Sequence, residues 1–374
     1  MKTTYSVLFC VVVLNSMAQS NFNLNLSSST GFEYNVFNAN EEQIIIRDGI
    51  EEPALQRGYF QRIRIASGWS IKSKHHTLKI NGAWQQDYFP ELKVANLTRP
   101  SARVRYTLKI NKRHSFSLTA RYRGYQTNRP EDDTEVLRPP RAYNRYETIG
   151  KYVWKPFKGT TMDFQGGIVK QMYKTDELRT FFYDAWESGL GLNQRLFKGK
   201  RHSHSLEVRG EYAVRHYFDA VVNPDTDDET IREREWRYIR LTGNYSWSFR
   251  KRLKVSIGAT ADERQDMLQN RFGYRQYQSF IKIALKSKKF DFSVRGSAAR
   301  RDYHTLRANS ESVVLLRHDY LRANLNFAWK ISKRFHIIGR ASAIRRIRNL
   351  PEGARSFLSY DNALVSLGLK INLF

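Results

Sequence analysis

Residues Ala363–Phe374 read ALVSLGLKINLF. Val365, Leu367, Leu369, Ile371 and Leu373 share one face of an extended chain, with Phe374 out of phase. Period-two alternation marks a strand that turns one face to an apolar phase. About sixteen such segments follow residue 20. They lie near 22–37, 57–71, 75–89, 101–112, 114–127, 144–156, 160–174, 180–197, 203–219, 233–249, 252–266, 272–287, 289–304, 315–332, 334–348 and 356–374. The links between them alternate between short and long. The rhythm predicts an all-β fold: a single antiparallel up-and-down transmembrane β-barrel of about 16 strands, with 14 or 18 as neighbouring counts.

The segment before the first strand reads as a secretory signal, residues 1–18, leaving 19–374 as the barrel. Lys2 supplies the positive start, Val7–Leu14 (VLFCVVVL) a short apolar core, and Ser16-Met17-Ala18 a small-residue cleavage site. That core is too short to span a bilayer as a helix. Cys10 falls inside it, so the processed chain has no cysteine. Disulfides, thiolate nucleophiles and zinc–thiolate sites are thereby excluded. No later stretch holds 18 consecutive apolar residues, which excludes a transmembrane helix. The mean hydropathy of −0.61 reads as soluble. A barrel wall averages its lipid-facing and lumen-facing residues in the same way.

The short links are basic: Lys72-Ser73-Lys74, Asn111-Lys112-Arg113, Lys155–Gly159, Lys198–Arg201, Arg250-Lys251-Arg252, Lys286–Lys289 and Ser332-Lys333-Arg334. They read as solvated turns or as contacts to anionic headgroups or a protein partner. The long links are often acidic, the largest being 38–56, 128–143 and 220–232. Asp225, Asp227, Asp228 and Glu229 lack the glycine and terminal glutamate of a calcium loop, so a solvated surface loop is expected there. An even strand count puts both chain ends on the short-turn side. Trp69, Tyr88, Tyr152, Trp154, Trp236, Tyr238, Trp247, Phe249, Trp329 and Phe335 cluster near strand ends and are assigned to interfacial girdles.

On the signal, the alternating segments and the terminal strand ending Leu373-Phe374, the chain resembles Gram-negative outer-membrane β-barrel proteins of the porin-like kind. The resemblance covers everything after the signal. It implies an integral outer-membrane location with periplasmic N- and C-termini, and contact with outer-membrane lipid and lipopolysaccharide. The departure is Phe374, which the family pattern places in phase with the alternate apolar positions. Architecture alone does not give function.

The charge narrows the possibilities. Lys and Arg number 63 against 36 Asp and Glu, a formal net charge of +27. Such a balance points to anions; in an outer membrane these are lipopolysaccharide phosphates, diffusing solutes or acidic polysaccharide rather than nucleic acid. Parity decides where the cations go. Val104, Tyr106, Leu108 and Ile110 facing lipid would turn Arg103, Arg105, Thr107 and Lys109 inward. Ile63, Ile65 and Trp69 do the same for Arg62 and Arg64, and Phe116, Leu118, Ala120 and Tyr122 for Arg121 and Arg123. The same rule places Lys79, Arg209, Arg215, Arg240, Lys254, Arg264, Arg295, Arg301, Arg322, Arg340 and Arg346 inside. A charge turned to lipid at the bilayer centre would cost ~2–4 kcal/mol. The pore-lining candidates are therefore Arg62, Arg64, Lys79, Arg103, Arg105, Lys109, Arg121, Arg123, Arg209, Arg240, Arg295, Arg322 and Arg340. Fewer acids point inward: Glu33, Asp87, Asp163, Glu187, Glu207, Glu211, Asp262 and Asp291. A surplus of positive charge concentrates anions, although arginine also suits static pairing with carboxylates.

No catalytic, metal or cofactor site is expected, so the chain does not read as an enzyme. His202 and His204 interleave with Ser203 and Ser205, but no third member of a triad is identifiable and no Gly-x-Ser-x-Gly elbow is present. Three functional readings stay open. The first is a channel that passes or binds anionic solutes. The second is an exporter or binding barrel for an acidic polysaccharide, similar in logic to alginate-type secretion barrels. The third is a non-conducting scaffold in a surface assembly. A homo-oligomer or a protein partner is compatible with each.

Overall fold

The computed structural model describes residues 19–373 apart from 39–43, 48–49, 54, 128–141, 176–178, 223–228, 269–271, 308–312 and 350–358. The signal segment, Phe374 and Asp225, Asp227 and Asp228 lie outside the described residues.

Sixteen strands form one sheet. They are β1 (Gln19–Glu33), β2 (Gly58–Lys72), β3 (His76–Tyr88), β4 (Ser101–Lys109), β5 (His114–Thr127), β6 (Tyr143–Trp154), β7 (Thr160–Tyr173) and β8 (Arg179–Lys198), then β9 (His202–Val222), β10 (Glu229–Phe249), β11 (Leu253–Asp266), β12 (Tyr274–Lys286), β13 (Phe290–Arg307), β14 (Leu315–Lys330), β15 (Phe335–Arg348) and β16 (Tyr360–Asn372). Leu97–Thr98 continues β4 across Pro100, pairing with β3 on one side and β5 on the other. Proline has no N–H to give the ladder, which accounts for the interruption. Each strand pairs antiparallel with the next, and β1 pairs with both β2 and β16, so the sheet closes. Closure satisfies every strand edge, the condition for a sheet to stand in a bilayer. A separate hairpin, Ile44–Arg47 with Ile50–Pro53, lies in the first long link.

Seven short turns occupy one rim. Gln19 pairs with Lys72 and Asn25 with Asn372, so both described ends of the chain stand on that rim too. Local chemistry makes the turns. Asn111 Oδ1 accepts from the N–H groups of Arg113 (2.8 Å) and His114 (2.9 Å). Ser287 Oγ and Ser332 Oγ do the same two and three residues on. A short polar side chain that folds the backbone leaves the following positions free for exposed Lys and Arg.

The outward face is apolar: Ile63, Ile65, Val104, Leu118, Leu241, Ile281, Leu321, Val365 and Leu367 are all exposed on the isolated barrel. Nothing among the described residues covers it, and an apolar belt of this kind is what a barrel wall turns to lipid. Trp69, Trp154, Trp247, Phe249, Trp329 and Phe335 belong to it near the turn rim, as the girdle assignment requires. Trp236 and Tyr238 do not. They share the inward face with Arg240, and Trp236 is only 2% exposed, packed with Tyr217 and Phe181. Strand-end position therefore does not identify a girdle residue where a strand runs far beyond the apolar belt, as the 21-residue β10 does.

On the loop side the interior is packed. Val36, Phe37, Phe60, Phe89 and Ala95 form one buried cluster, in which the chain after β1 folds over the inner face of β2. Val36 thus leaves the alternation of the first strand, because β1 ends at Glu33. Burying a side chain such as Phe60 contributes ~2 kcal/mol. A second inward cluster joins Val169, Phe181, Tyr183, Tyr217, Trp236 and Phe272.

Candidate anion-binding lumen

Residues directly opposite in an antiparallel ladder share a face, so the register carries inward orientation round the barrel. Lys79 opposes Arg105, Arg103 opposes Arg121, and Arg121 opposes Glu147. Further round, Glu211 opposes Arg240, Lys282 opposes Arg295, Ser297 opposes Arg322 and Asn326 opposes Arg340. The chain of pairs returns through Ser366 and Gly31 to the face of Arg62 and Arg64. All thirteen pore-lining candidates thus stand on the face opposite the exposed apolar residues.

They divide into two groups. Five are engaged by acids. Arg62 makes a bidentate pair with Asp87 (2.7 and 2.8 Å). Arg121 (3.0 Å) and Arg123 both reach Glu147. Arg209 lies 2.9 Å from Asp163, and Arg240 3.1 Å from Asp262. The other eight, Arg64, Lys79, Arg103, Arg105, Lys109, Arg295, Arg322 and Arg340, have no acid within 4.0 Å among the described residues. Most inward acids are meanwhile occupied: Asp87, Glu147, Asp163, Glu187, Glu211, Asp219, Asp262, Asp266 and Asp291 each have a cation within that distance, Glu33 accepts from Asn362 Nδ2 (3.0 Å), and Glu207 has no cation there among the described residues.

A cationic recess of about 520 Å³ lies on the wall of β1–β5. Arg64, Arg103, Arg121 and Arg123 line it together with Asn23, Asn81 and Ser101. Arg103 and Arg121 are direct cross-strand neighbours, an arrangement of like charges that costs stability. The buried Nε of Arg103 and that of Arg105 have no hydrogen-bond partner. The planar fork of a guanidinium suits the paired oxygens of carboxylate, phosphate or sulfate.

The loop-side arginines spend their charge differently. Arg215 stacks over Tyr238 at 4.4 Å, Arg264 over Trp236 at 4.1 Å, and Arg301 over Tyr274 at 4.3 Å. Arg264 also donates from Nε and an Nη to the Phe272 carbonyl (3.0 and 2.7 Å). They face inward as parity requires, yet they serve as packing. The sequence reading missed Glu147, which joins Arg121, Arg123 and Arg145. Inward Ile149 and Val153 follow it on β6 and blur the polar parity of that strand.

His202 and His204 stand on the outer face, where His204 meets Tyr245 Oη, whereas Ser203 and Ser205 share the inner face. The sheet separates them as a catalytic pair. Among the described residues no three His, Cys, Asp or Glu side chains converge as metal ligands would.

No protein-family model and no curated protein matches the chain. Solved structures do. The RagAB peptide importer in its closed-closed state is 10% identical over 96% of this chain, with a TM-score of 0.45. The match takes in 59% of the importer chain, so this protein spans about three-fifths of its length. OccK2 of Pseudomonas aeruginosa in complex with glucuronate is 9% identical over 95% of this chain and 99% of that one, TM-score 0.44. OmpT of Vibrio cholerae is 10% identical over 95% and 98%, TM-score 0.45. At these identities the likeness is one of fold. Closure, an outward apolar belt and a turn rim opposite a loop rim make the chain a closed sixteen-stranded antiparallel up-and-down β-barrel.

Proposed function

We propose that the barrel is an outer-membrane channel that passes or binds anionic solutes along a cationic inner wall, with the turn rim and both chain ends on the periplasmic side. The observation that carries this reading is the charge partition: eight inward cations without an acid beside nine inward acids that already have partners. A wall of that kind raises the local anion concentration and repels cations, while weak, repeated contacts let a solute leave again. The β1–β5 recess is the strongest station, and Arg295, Arg322 and Arg340 on β13–β15 make a second, beyond β16 and β1. Two stations also suit an acidic polysaccharide, whose repeated carboxylates would engage both; this is the second reading.

The test is planar-bilayer conductance of the refolded, signal-less protein under a salt gradient. Anion-selective steps are expected, with selectivity reduced in R64Q/R103Q. Unchanged selectivity in that variant would remove the recess from the mechanism. A folded barrel without steps would favour the non-conducting scaffold. Block by an oligomeric but not a monomeric uronate would favour the polysaccharide.

A further inference from the structure

The seven short turns carry seventeen Lys and Arg and no Asp or Glu. All seventeen are exposed, and none has an acid within 4.0 Å among the described residues. The lumen wall, by contrast, pairs nine of its acids with cations. These charges form a collar round the whole rim, because every turn contributes two or three.

Height on the barrel says what the collar meets. Its cations follow or precede outward aromatic residues by one to four positions: Trp154 before Lys155, Phe249 before Arg250, Lys289 before Phe290, Trp329 before Lys333 and Arg334 before Phe335. At about 3.3 Å per residue, this puts them within roughly 3–13 Å of the aromatic belt, at the depth of lipid headgroups. The backbone gives an independent sign. Arg250 (φ 47°) and Lys251 (φ 58°) both adopt the left-handed conformation in the two-residue turn between β10 and β11, closed by Arg252 N–H donating to the Phe249 carbonyl (3.0 Å). Asn-Gly is the relaxed choice for such a turn. The chain instead carries two cations where side chains are strained.

We propose that the collar is a binding surface for the headgroups of anionic phospholipids in the leaflet at the turn rim. A leaflet surrounds the barrel and can meet all seven turns at once, whereas a protein partner would meet one sector. Phosphate oxygens supply the negative charge that the turns, with no Asp or Glu, lack. Lys72, Lys198 and Lys286 end their strands on the inner face, and the other fourteen cations stand in the turns proper, away from the mid-lumen wall.

The test is electron spin resonance of spin-labelled phosphatidylglycerol and phosphatidylcholine around the full barrel in mixed vesicles. The motionally restricted fraction gives their relative association. Native protein is expected to prefer phosphatidylglycerol by about five-fold at low salt, and 0.5 M salt should bring the ratio towards one. K198Q/K200Q/R201Q/R250Q/K251Q/R252Q should at least halve the preference. R250N/K251G, which relaxes the turn and so must fold, should lower it by a smaller step. A native ratio near one overturns the proposal, as does a preference that neither variant changes. If poly-glutamate binds the detergent-solubilised barrel through these six residues while the lipid ratio stays at one, the collar is an acidic-protein site and the lipid assignment fails. Conductance in the same variants is read separately, so loss of the channel reading would leave this outcome unaffected.

Discussion

At the scale of single residues, Glu147 decides how much of the arginine ladder is available. It is 5% exposed and holds Arg121, Arg123 and Arg145 from three neighbouring positions on β5 and β6. Glu147→Gln keeps the shape and removes the charge. The expected outcome is a loss of about 2–3 kcal/mol, below the full cost of breaking a buried pair because the arginines are partly hydrated. Urea unfolding in micelles measures it. The same substitution frees two arginines of the recess, so anion selectivity should rise as stability falls. A fall in both would mean that Glu147 serves only to position the wall. Arg264 makes the contrasting case. Stacked on Trp236 and bonded to the Phe272 carbonyl, it should affect stability on replacement by Gln and leave selectivity unchanged.

Elements raise different questions, because a strand or turn succeeds or fails as a unit. At the closing seam, Gly368 of β16 opposes Ser29 of β1, and a Cβ there would overlap the backbone of Ser28 and Ser29. Gly368→Val should prevent correct seam closure or destabilise the barrel by ~1–3 kcal/mol, seen as loss of the compact band on unheated gels. The β10–β11 turn runs the other way. R250N/K251G relieves two left-handed side-chain positions and should stabilise by about 1–2 kcal/mol, measured as a higher thermal unfolding midpoint. No change in that midpoint would remove the strain from the account of the collar.

Across the whole molecule the charge is graded. Exposed, unpaired cations crowd the turn rim, and the mid-lumen mixes free with paired ones. On the loop side, arginines are packed against aromatic rings. An anion preference produced by such a field must weaken with salt, since the screening length falls from about 10 Å at 0.1 M to about 3 Å at 1 M. Reversal potentials at a fixed gradient ratio should therefore shrink as absolute concentration rises. Salt-independent selectivity would point to a narrow steric filter in place of the distributed wall.

Much of this architecture is legible in the amino-acid sequence, for a local reason. Side-chain direction along a strand is set by the strand itself, so Ile63 and Ile65 announce where Arg62 and Arg64 point, and Ser and Asn followed by Lys and Arg announce the turns. Sixteen strands, the two rims and the inward face of all thirteen candidate cations follow from that periodicity. Partnership between charges is not local. Arg103 and Arg121 lie 18 positions apart and become neighbours only when β4 and β5 settle in register; Glu147 gathers its arginines in the same way. Trp236 reads as a girdle residue until β10 is seen to run beyond the apolar belt and turn it onto Tyr217. The sequence by itself determined which face residues take in strands of clean alternation, because pleating alternates from one residue to the next. The tertiary structure alone decided which cations remain without an acid, because pairing depends on the register of strands distant along the chain.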